Sequence, residues 1–210
     1  MYKLRNKTKK IICGGVSIGG DAPISVQSMT NTDTRDINST INQIKMLEKA
    51  GCDLVRVAVL DIDAANAISS IKSNIGIPII ADIHFDHRLA LQSIKNGVDG
   101  LRINPGNIGD KNKVKEVVKA CKDRNIPIRI GVNSGSISKE VLEKFNGVNE
   151  NSMVYSAMEH IHILEDLDYT NIKVSLKATD IELTINAYKQ ISQKIDYPLH
   201  IGITESGTIW

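Results

Sequence analysis

Short apolar runs alternate along this chain with longer segments whose apolar residues recur every three or four positions. The runs are Ile24–Met29, Leu54–Val59, Ile79–Ile83, Leu101–Ile103, Ile128–Val132, Ile172–Leu176 and Leu199–Thr204. Each is the right length for a buried strand. The segments between them carry helical stripes. Examples are Ile37, Ile41, Ile44 and Leu47, then Ala64, Ile68, Ile71 and Ile75, then Leu89, Ala90, Ser93 and Ile94. Later stripes are Val114, Val117, Val118 and Cys121, and Ile181, Ile185, Tyr188, Ile191 and Ile195. Asp86 is placed to cap the third of these helices and Gly97 to end it. One connection is longer, with a short helix near Ser138–Phe145 and a second near Met153–Leu167. Ahead of the first core strand, IICGGVSI reads as a β-hairpin turning on Gly14 and Gly15.

Strict alternation of strand and helix predicts a parallel sheet covered by helices. Two details favour a (β/α)8 barrel over an open sheet. Pro23, Pro78, Pro127 and Pro198 each precede an odd-numbered strand, where a missing N–H costs least. The pattern G-x-D-x-x-R occurs at Gly51–Arg56 and again at Gly97–Arg102, so alternate strands are built alike, as in a barrel's layered interior. No G-x-G-x-x-G follows the first strand, which lowers the doubly wound alternative. Seven strands are expected, and the eighth that closes such a barrel is not among them. The expectation is a single barrel domain over 1–210, the front part of a longer protein, stopping before strand eight.

Composition narrows the function. Apolar residues make up 41% of the 210, charged residues 24%, and the net charge is +2. That balance does not suggest nucleic acid as a partner. Two Phe and one Trp give no stacking platform for single-stranded bases. No apolar run approaches the ~20 residues of a membrane span. The basic start MYKLRNKTKK lacks a signal-type apolar core, so the cytoplasm is the expected compartment. Cys13, Cys52 and Cys121 are far apart and no C-x-x-C occurs, so neither a disulfide framework nor a metal site is expected from them.

The candidate chemistry sits at the strand ends. Arg56, Arg102, Arg129 and Lys173 each interrupt an otherwise apolar strand. An unpaired charge there is costly unless it faces a cavity that holds anions. On a strand, residues i and i+2 share a face. Asn104 therefore goes with Arg102, Asn133 with Arg129, and Ser175 and Lys177 with Lys173. Convergent guanidinium groups suit a phosphate. Internal ion pairing with Asp82 and Glu205 is the blander explanation, but two acids cannot neutralise four or five cations. Asp82, His84 and Glu205 are the proton-transfer candidates, at the rim where barrel enzymes place their sites. His87, His160 and His162 are expected on helices as surface or packing residues, and His200 at the wrong end of its strand for the rim.

At these residues the chain resembles the 4-hydroxy-3-methylbut-2-enyl diphosphate synthases of non-mevalonate isoprenoid biosynthesis. The matching runs, in order, are GGDAPISVQSMTNTDTRD, AGCDLVRVAV, IPIIADIHFD, GLRINPGNIG, IPIRIGVNSGS, VSLKATD and HIGITESGT. The resemblance implies an N-terminal barrel joined to a C-terminal 4Fe-4S domain. It implies reductive opening of 2-C-methyl-D-erythritol 2,4-cyclodiphosphate with electrons from flavodoxin or ferredoxin. It assigns the diphosphate to Arg56, Arg102, Arg129 and Lys173, further pocket contacts to Asp82, His84, Asn104 and Asn133, and assistance in protonation to Glu205. In the family the cluster is held by three cysteines and a glutamate of the second domain, which closes the site of a partner subunit. The three cysteines of this chain do not match those ligands, so a homodimer and a cluster are implied for the intact protein only, and this chain alone binds substrate at most. The residues by themselves leave two other readings open: a non-redox transferase or aldolase barrel of dihydropteroate-synthase type, and a silent phosphate-binding module.

Overall fold

The computed structural model of the chain describes residues 5–202. A hairpin, β1 (Lys10–Cys13) and β2 (Val16–Gly19), comes first, turning on Gly14 and Gly15 at φ +54° and +92°, a conformation that favours glycine. Six parallel strands follow in sequence order: β3 (Gln27–Met29), β4 (Leu54–Ala58), β5 (Ile79–Asp82), β6 (Gly100–Ile103), β7 (Ile128–Asn133) and β8 (Ile172–Lys177). The helices are α1 (Ile37–Lys49), α2 (Ile62–Lys72), α3 (His87–Lys95), α4 (Lys111–Arg124), α5 (Lys139–Lys144), α6 (Glu150–Glu165) and α7 (Ile181–Ile191). The expected helices and the five strands from Leu54 to Leu176 form where the pattern places them, with small differences at ends. Ile75 and Ile195 lie just beyond α2 and α7 and still pack on the core.

Helix starts are set by side chains. Asp36, Asp61, Asp86, Asp110 and Asp180 each accept a backbone N–H of the first turn, satisfying a donor with no helical partner. The repeated G-x-D-x-x-R also has a structural meaning. Asp53 Oδ2 accepts from the N–H of Val26 at 2.7 Å, and Asp99 Oδ2 from that of Ile79 at 3.0 Å. In each copy the aspartate ties down the start of the preceding strand, and the arginine three residues later lies in the next strand. The prolines enter the ladder through their oxygens alone: Pro78, Pro127 and Pro198 accept from Val55, Leu101 and Val174, each at 3.0 Å.

Alternation along the strands separates two environments. Val55, Val57, Ile79, Ala81, Leu101, Ile103, Ile128, Ile130, Ile172 and Val174 pack with the helices in one apolar core. The opposite face holds Leu54 and Ile80 at its amino-terminal end, where they pack with Ile11, Cys13 and Ile18 of the hairpin. Higher on that face come the charged residues. The hairpin is thus a stopper at the end away from the rim.

The two ends of the sheet depart from expectation. The first strand is short: Ile24 and Val26 lie outside β3 and are 81% and 56% exposed. Among the described residues β3 has a partner strand on one side only, and these side chains lie uncovered. The last expected strand, Leu199–Thr204, begins as one parallel bridge of Leu199 with Val174, supported by the His200 N–H to Val174 O bond at 2.8 Å. Its remainder from 203 onward lies outside the described residues. The two edges border a cleft of about 530 Å³ lined by Ile24, Gln27, Lys173, Lys177, Leu199 and His200. No helix among the described residues is long and apolar enough to cross a membrane.

Candidate functional site

The interior face of the sheet follows from register and parity. Arg102 pairs laterally with Asp82 on one side and Arg129 on the other, and Arg129 pairs with Lys173. Paired residues in a parallel ladder point to the same side. Stepping two residues along each strand then places Asn104, Gly131, Asn133, Ser175 and Lys177 on that face, and Arg56 joins them through its pairing with Ile80. Arg102, Arg129, Lys173, Asp82, Asn104 and Ser175 are buried. Their opposite neighbours in sequence are the apolar residues of the helix-side core. Arginines in these strands are therefore compatible with folding because every second position faces a polar interior.

Charge in this interior is unbalanced. Asp82 is the carboxylate that pairs with the cations among the described residues. Its Oδ1 lies 3.2 Å from Arg102 Nη1 and its Oδ2 3.5 Å from Arg56 Nε. His84 Nε2 lies 3.4 Å from Asp82 Oδ1 and 3.3 Å from Arg102 Nη1. A guanidinium only donates, so an Nε2 bonded to Arg102 is an acceptor and the ring carries its proton on Nδ1.

Arg129 is the most exposed to this imbalance electrostatically and the least exposed to water. It is 2% accessible, and its Nε and Nη1 find no hydrogen-bond partner among the described residues. Burial, then the neighbouring Arg56 and Arg102, bring its pKa down to about 9. Lys173 falls to about 8, through burial first and then Arg129 and Arg56. Lys177 falls to about 8 by burial and the three guanidinium groups. Each shift means the positive charge is costly here, by about 1.4 kcal/mol per pKa unit for a fully buried group. Retaining five cations on this face against one carboxylate among the described residues is unfavourable for folding and favourable for taking up an anion.

The other expected residues fall as follows. Asn104 is buried at the top of β6; its Oδ1 accepts from the Gly106 N–H at 3.1 Å, closing the turn into α4. Asn133 ends β7, and its N–H donates to Ser136 Oγ at 3.1 Å, starting a single 3-10 turn at Ser134–Ser136. Ser175 is turned to the sheet itself, its Oγ donating to the Ile130 carbonyl at 3.3 Å. Glu205 lies outside the described residues.

Four features were not anticipated from the sequence. Gln27 Oε1 accepts from Lys173 Nζ at 3.4 Å, and Met29 Sδ accepts from Arg56 Nε and Nη2 at 3.1 and 2.8 Å. His200, expected away from the site, lines the cleft beside Lys173 and Lys177. Its neighbour Leu199 bridges to Val174 and packs on the helix side, so His200 faces inward. Burial and the facing Arg129, Lys173 and Lys177 hold its imidazole well below the usual pKa, hence neutral. Finally, Gly131 gives room to Arg102: a Cβ placed there would lie 2.5 Å from Arg102 Nε. Parity with Lys173 signals Lys177, but only the partner across the ladder signals Gly131, Gln27 and Met29.

The cysteines are structural. All three are buried. Cys13 Sγ donates to the Asp99 carbonyl at 3.3 Å, Cys52 Sγ to the Leu54 carbonyl at 2.9 Å, and Cys121 packs in the helix-side core. Burial raises the Cys13 and Cys121 thiols to about 11 and about 12. Thiolate ligands are disfavoured in such places. No group of three or more His, Cys, Asp or Glu among the described residues could hold a metal ion.

A family model described as the GcpE TIM-barrel domain matches residues 8–210. The chain belongs to the GcpE TIM-barrel family. Its barrel is 61% identical over 205 residues to a protein of Thermodesulfovibrio yellowstonii named 4-hydroxy-3-methylbut-2-en-1-yl diphosphate synthase (flavodoxin), covering 98% of this chain and 59% of that one. A protein of the same name from Ruminiclostridium cellulolyticum is 57% identical over 206 residues, covering 98% and 58%. The chain thus spans somewhat over half the length of these relatives. Among solved structures, the type I 3-dehydroquinate dehydratase of Clostridium difficile superposes with TM-score 0.70 at 13% identity, covering 95% of this chain and 82% of that one. The dihydropteroate synthase of Yersinia pestis does so with TM-score 0.60 at 9% identity, covering 90% and 74%. At those identities the likeness shows the barrel fold alone.

Proposed function

We propose that this chain is the substrate-binding barrel portion, truncated before strand eight, of a 4-hydroxy-3-methylbut-2-enyl diphosphate synthase. The carrying observation is Arg129, a fully buried guanidinium with two nitrogens unpartnered among the described residues, beside four further inward-facing cations. A multiply charged anion balances that interior. A cyclic diphosphate does so, and the relatives' names carry a diphosphate product. Arg56, Arg102, Arg129, Lys173 and Lys177 take the diphosphate oxygens. Asn104, Asn133 and Ser175 border the ring of the substrate. Asp82 fixes Arg56 and Arg102 in place, and with His84 and Glu205 it supplies the proton-transfer groups. Glu205 assists loss of the substrate hydroxyl as the ring opens.

The reaction is a two-electron reduction, and a 4Fe-4S cluster supplies that chemistry when bound. The residues present do not fit such a group: the three cysteines are buried, burial raises the Cys13 and Cys121 thiols, and no group of three or more His, Cys, Asp or Glu among the described residues could hold a metal. The cluster ligands are therefore assigned to the part of the relatives' length that this chain does not span. Flavodoxin is the proposed donor, following the relatives' names, with ferredoxin as the other candidate. A cytoplasmic homodimer completes the reading. The test uses the full-length protein. Arg102→Ala should weaken binding of the cyclic diphosphate, while Glu205→Gln should bind it nearly normally and lose turnover by ~10²–10⁴ with a chemical reductant. A full-length protein that binds neither the cyclic diphosphate nor inorganic diphosphate refutes the proposal.

A further inference from the structure

Lys173 is held by a group that carries no charge, and Arg56 has an uncharged acceptor in addition to its ion pair with Asp82. Met29 Sδ takes two N–H groups of Arg56, from Nε and Nη2. Gln27 Oε1 takes the ammonium of Lys173. The two acceptors are two residues apart on β3 and so share the interior face of the strand. Elsewhere in the interior the acceptor is the carboxylate Asp82, which contacts both Arg56 and Arg102. A carboxylate at position 27 or 29 would tether its cation more strongly, because ionised acceptors make the stronger bonds. It would also cancel a positive charge that a dianionic ligand needs. An aliphatic residue would leave the charge but free the long side chain, whose ordering must then be supplied on binding. A thioether and an amide oxygen meet both demands, restricting direction while leaving the field intact.

We infer that Gln27 and Met29 are positioning residues, neutral tethers that aim Lys173 and Arg56 at the anion without neutralising them. This rests on the reading of the interior as a diphosphate site. It assigns a specific task to the QSM run at the first strand, which carries no charged side chain.

The test exploits an opposition that simple structural support does not share. In the full-length protein, Gln27→Glu should keep or raise the melting temperature, since it gives Lys173 an ion-pair partner. It should nonetheless weaken binding of the cyclic diphosphate, and of inorganic diphosphate, by about tenfold or more. Its binding should also show a shallower dependence on salt. Met29→Leu, similar in volume but without an acceptor, should leave the melting temperature nearly unchanged and weaken binding by about threefold to tenfold. Combined with Arg56→Ala, it should add nothing further, because it acts through Arg56. Gln27→Glu binding either anion as tightly as wild type would overturn the inference. So would additivity of Met29→Leu with Arg56→Ala, which decides the matter if Gln27→Glu fails to fold. Failure of wild type to bind either anion instead refutes the functional reading, so the two failures are told apart by which protein shows them.

Discussion

Gly131→Ala is the sharpest single perturbation of this site, because it moves a charge without removing one. The added methyl would stand 2.5 Å from Arg102 Nε, 3.0 Å from Nη2 and 3.1 Å from Cζ. Carbon–nitrogen contacts are comfortable near 3.5 Å, so the guanidinium must retreat by roughly 1 Å. It cannot do so freely, since Arg102 is buried and its Nε has no partner among the described residues. The bond from Nη1 to Asp82 Oδ1 is 3.2 Å, at the long end of the useful range, and a shift of that size breaks it. The loss is one charge-assisted hydrogen bond plus the aim of the group, about 1.5–3 kcal/mol of anion binding. That is roughly a 10- to 150-fold weaker Kd. Calorimetric titration of the full-length protein with the cyclic diphosphate measures it. Arg102→Ala should show a loss of similar size, and the double variant should be no weaker than Arg102→Ala alone, since both act through the same guanidinium. Wild-type affinity in Gly131→Ala would mean that Arg102 does not contact the anion from its position over Gly131.

The ligand-free protein should become more stable as pH rises from about 8 toward 10.5. Lys173 and Lys177 have folded-state pKa values near 8 against 10.5 unfolded, so the unfolded chain binds more protons in that window. Half-buried Lys177 contributes the smaller share; saturating diphosphate should flatten the trend, and a melting temperature that falls from pH 8 to 9.5 without ligand would contradict the assignment. Replacing Cys13, Cys52 and Cys121 together by Ala or Ser should leave the iron content of the full-length protein unchanged. The cost should be about 1–3 kcal/mol of stability at each buried site; loss of iron would show that one of them is a ligand. The 210-residue chain alone should self-associate through the uncovered side of β3, where Ile24 and Val26 are exposed. Light scattering that finds only monomer at tens of micromolar would count against this.

The sequence by itself determined the local layer of this protein. Helical and strand periods differ, so stripes such as Val114, Val117, Val118 and Cys121 and runs such as Ile128–Val132 announce their elements without reference to the rest of the chain. Parity along a strand is equally local. It was enough to put Arg102 with Asn104 and Arg129 with Asn133 on one face, and the cost of burying unpaired charge then called for an anion. What tertiary structure decided is everything that depends on which atoms of distant strands lie across the ladder. Gly131 faces Arg102 from the next strand. Gln27 reaches Lys173, 146 residues away in the chain, because the curved sheet brings its first and last strands to one cleft. His200 turned inward because Leu199 bridges to Val174, a register no pattern within HIGIT specifies. Ile24 and Val26 read as core, since an apolar run looks the same whether or not a neighbouring strand covers it. Periodicity reports the face a side chain takes on its own element, whereas register and curvature decide what that face meets.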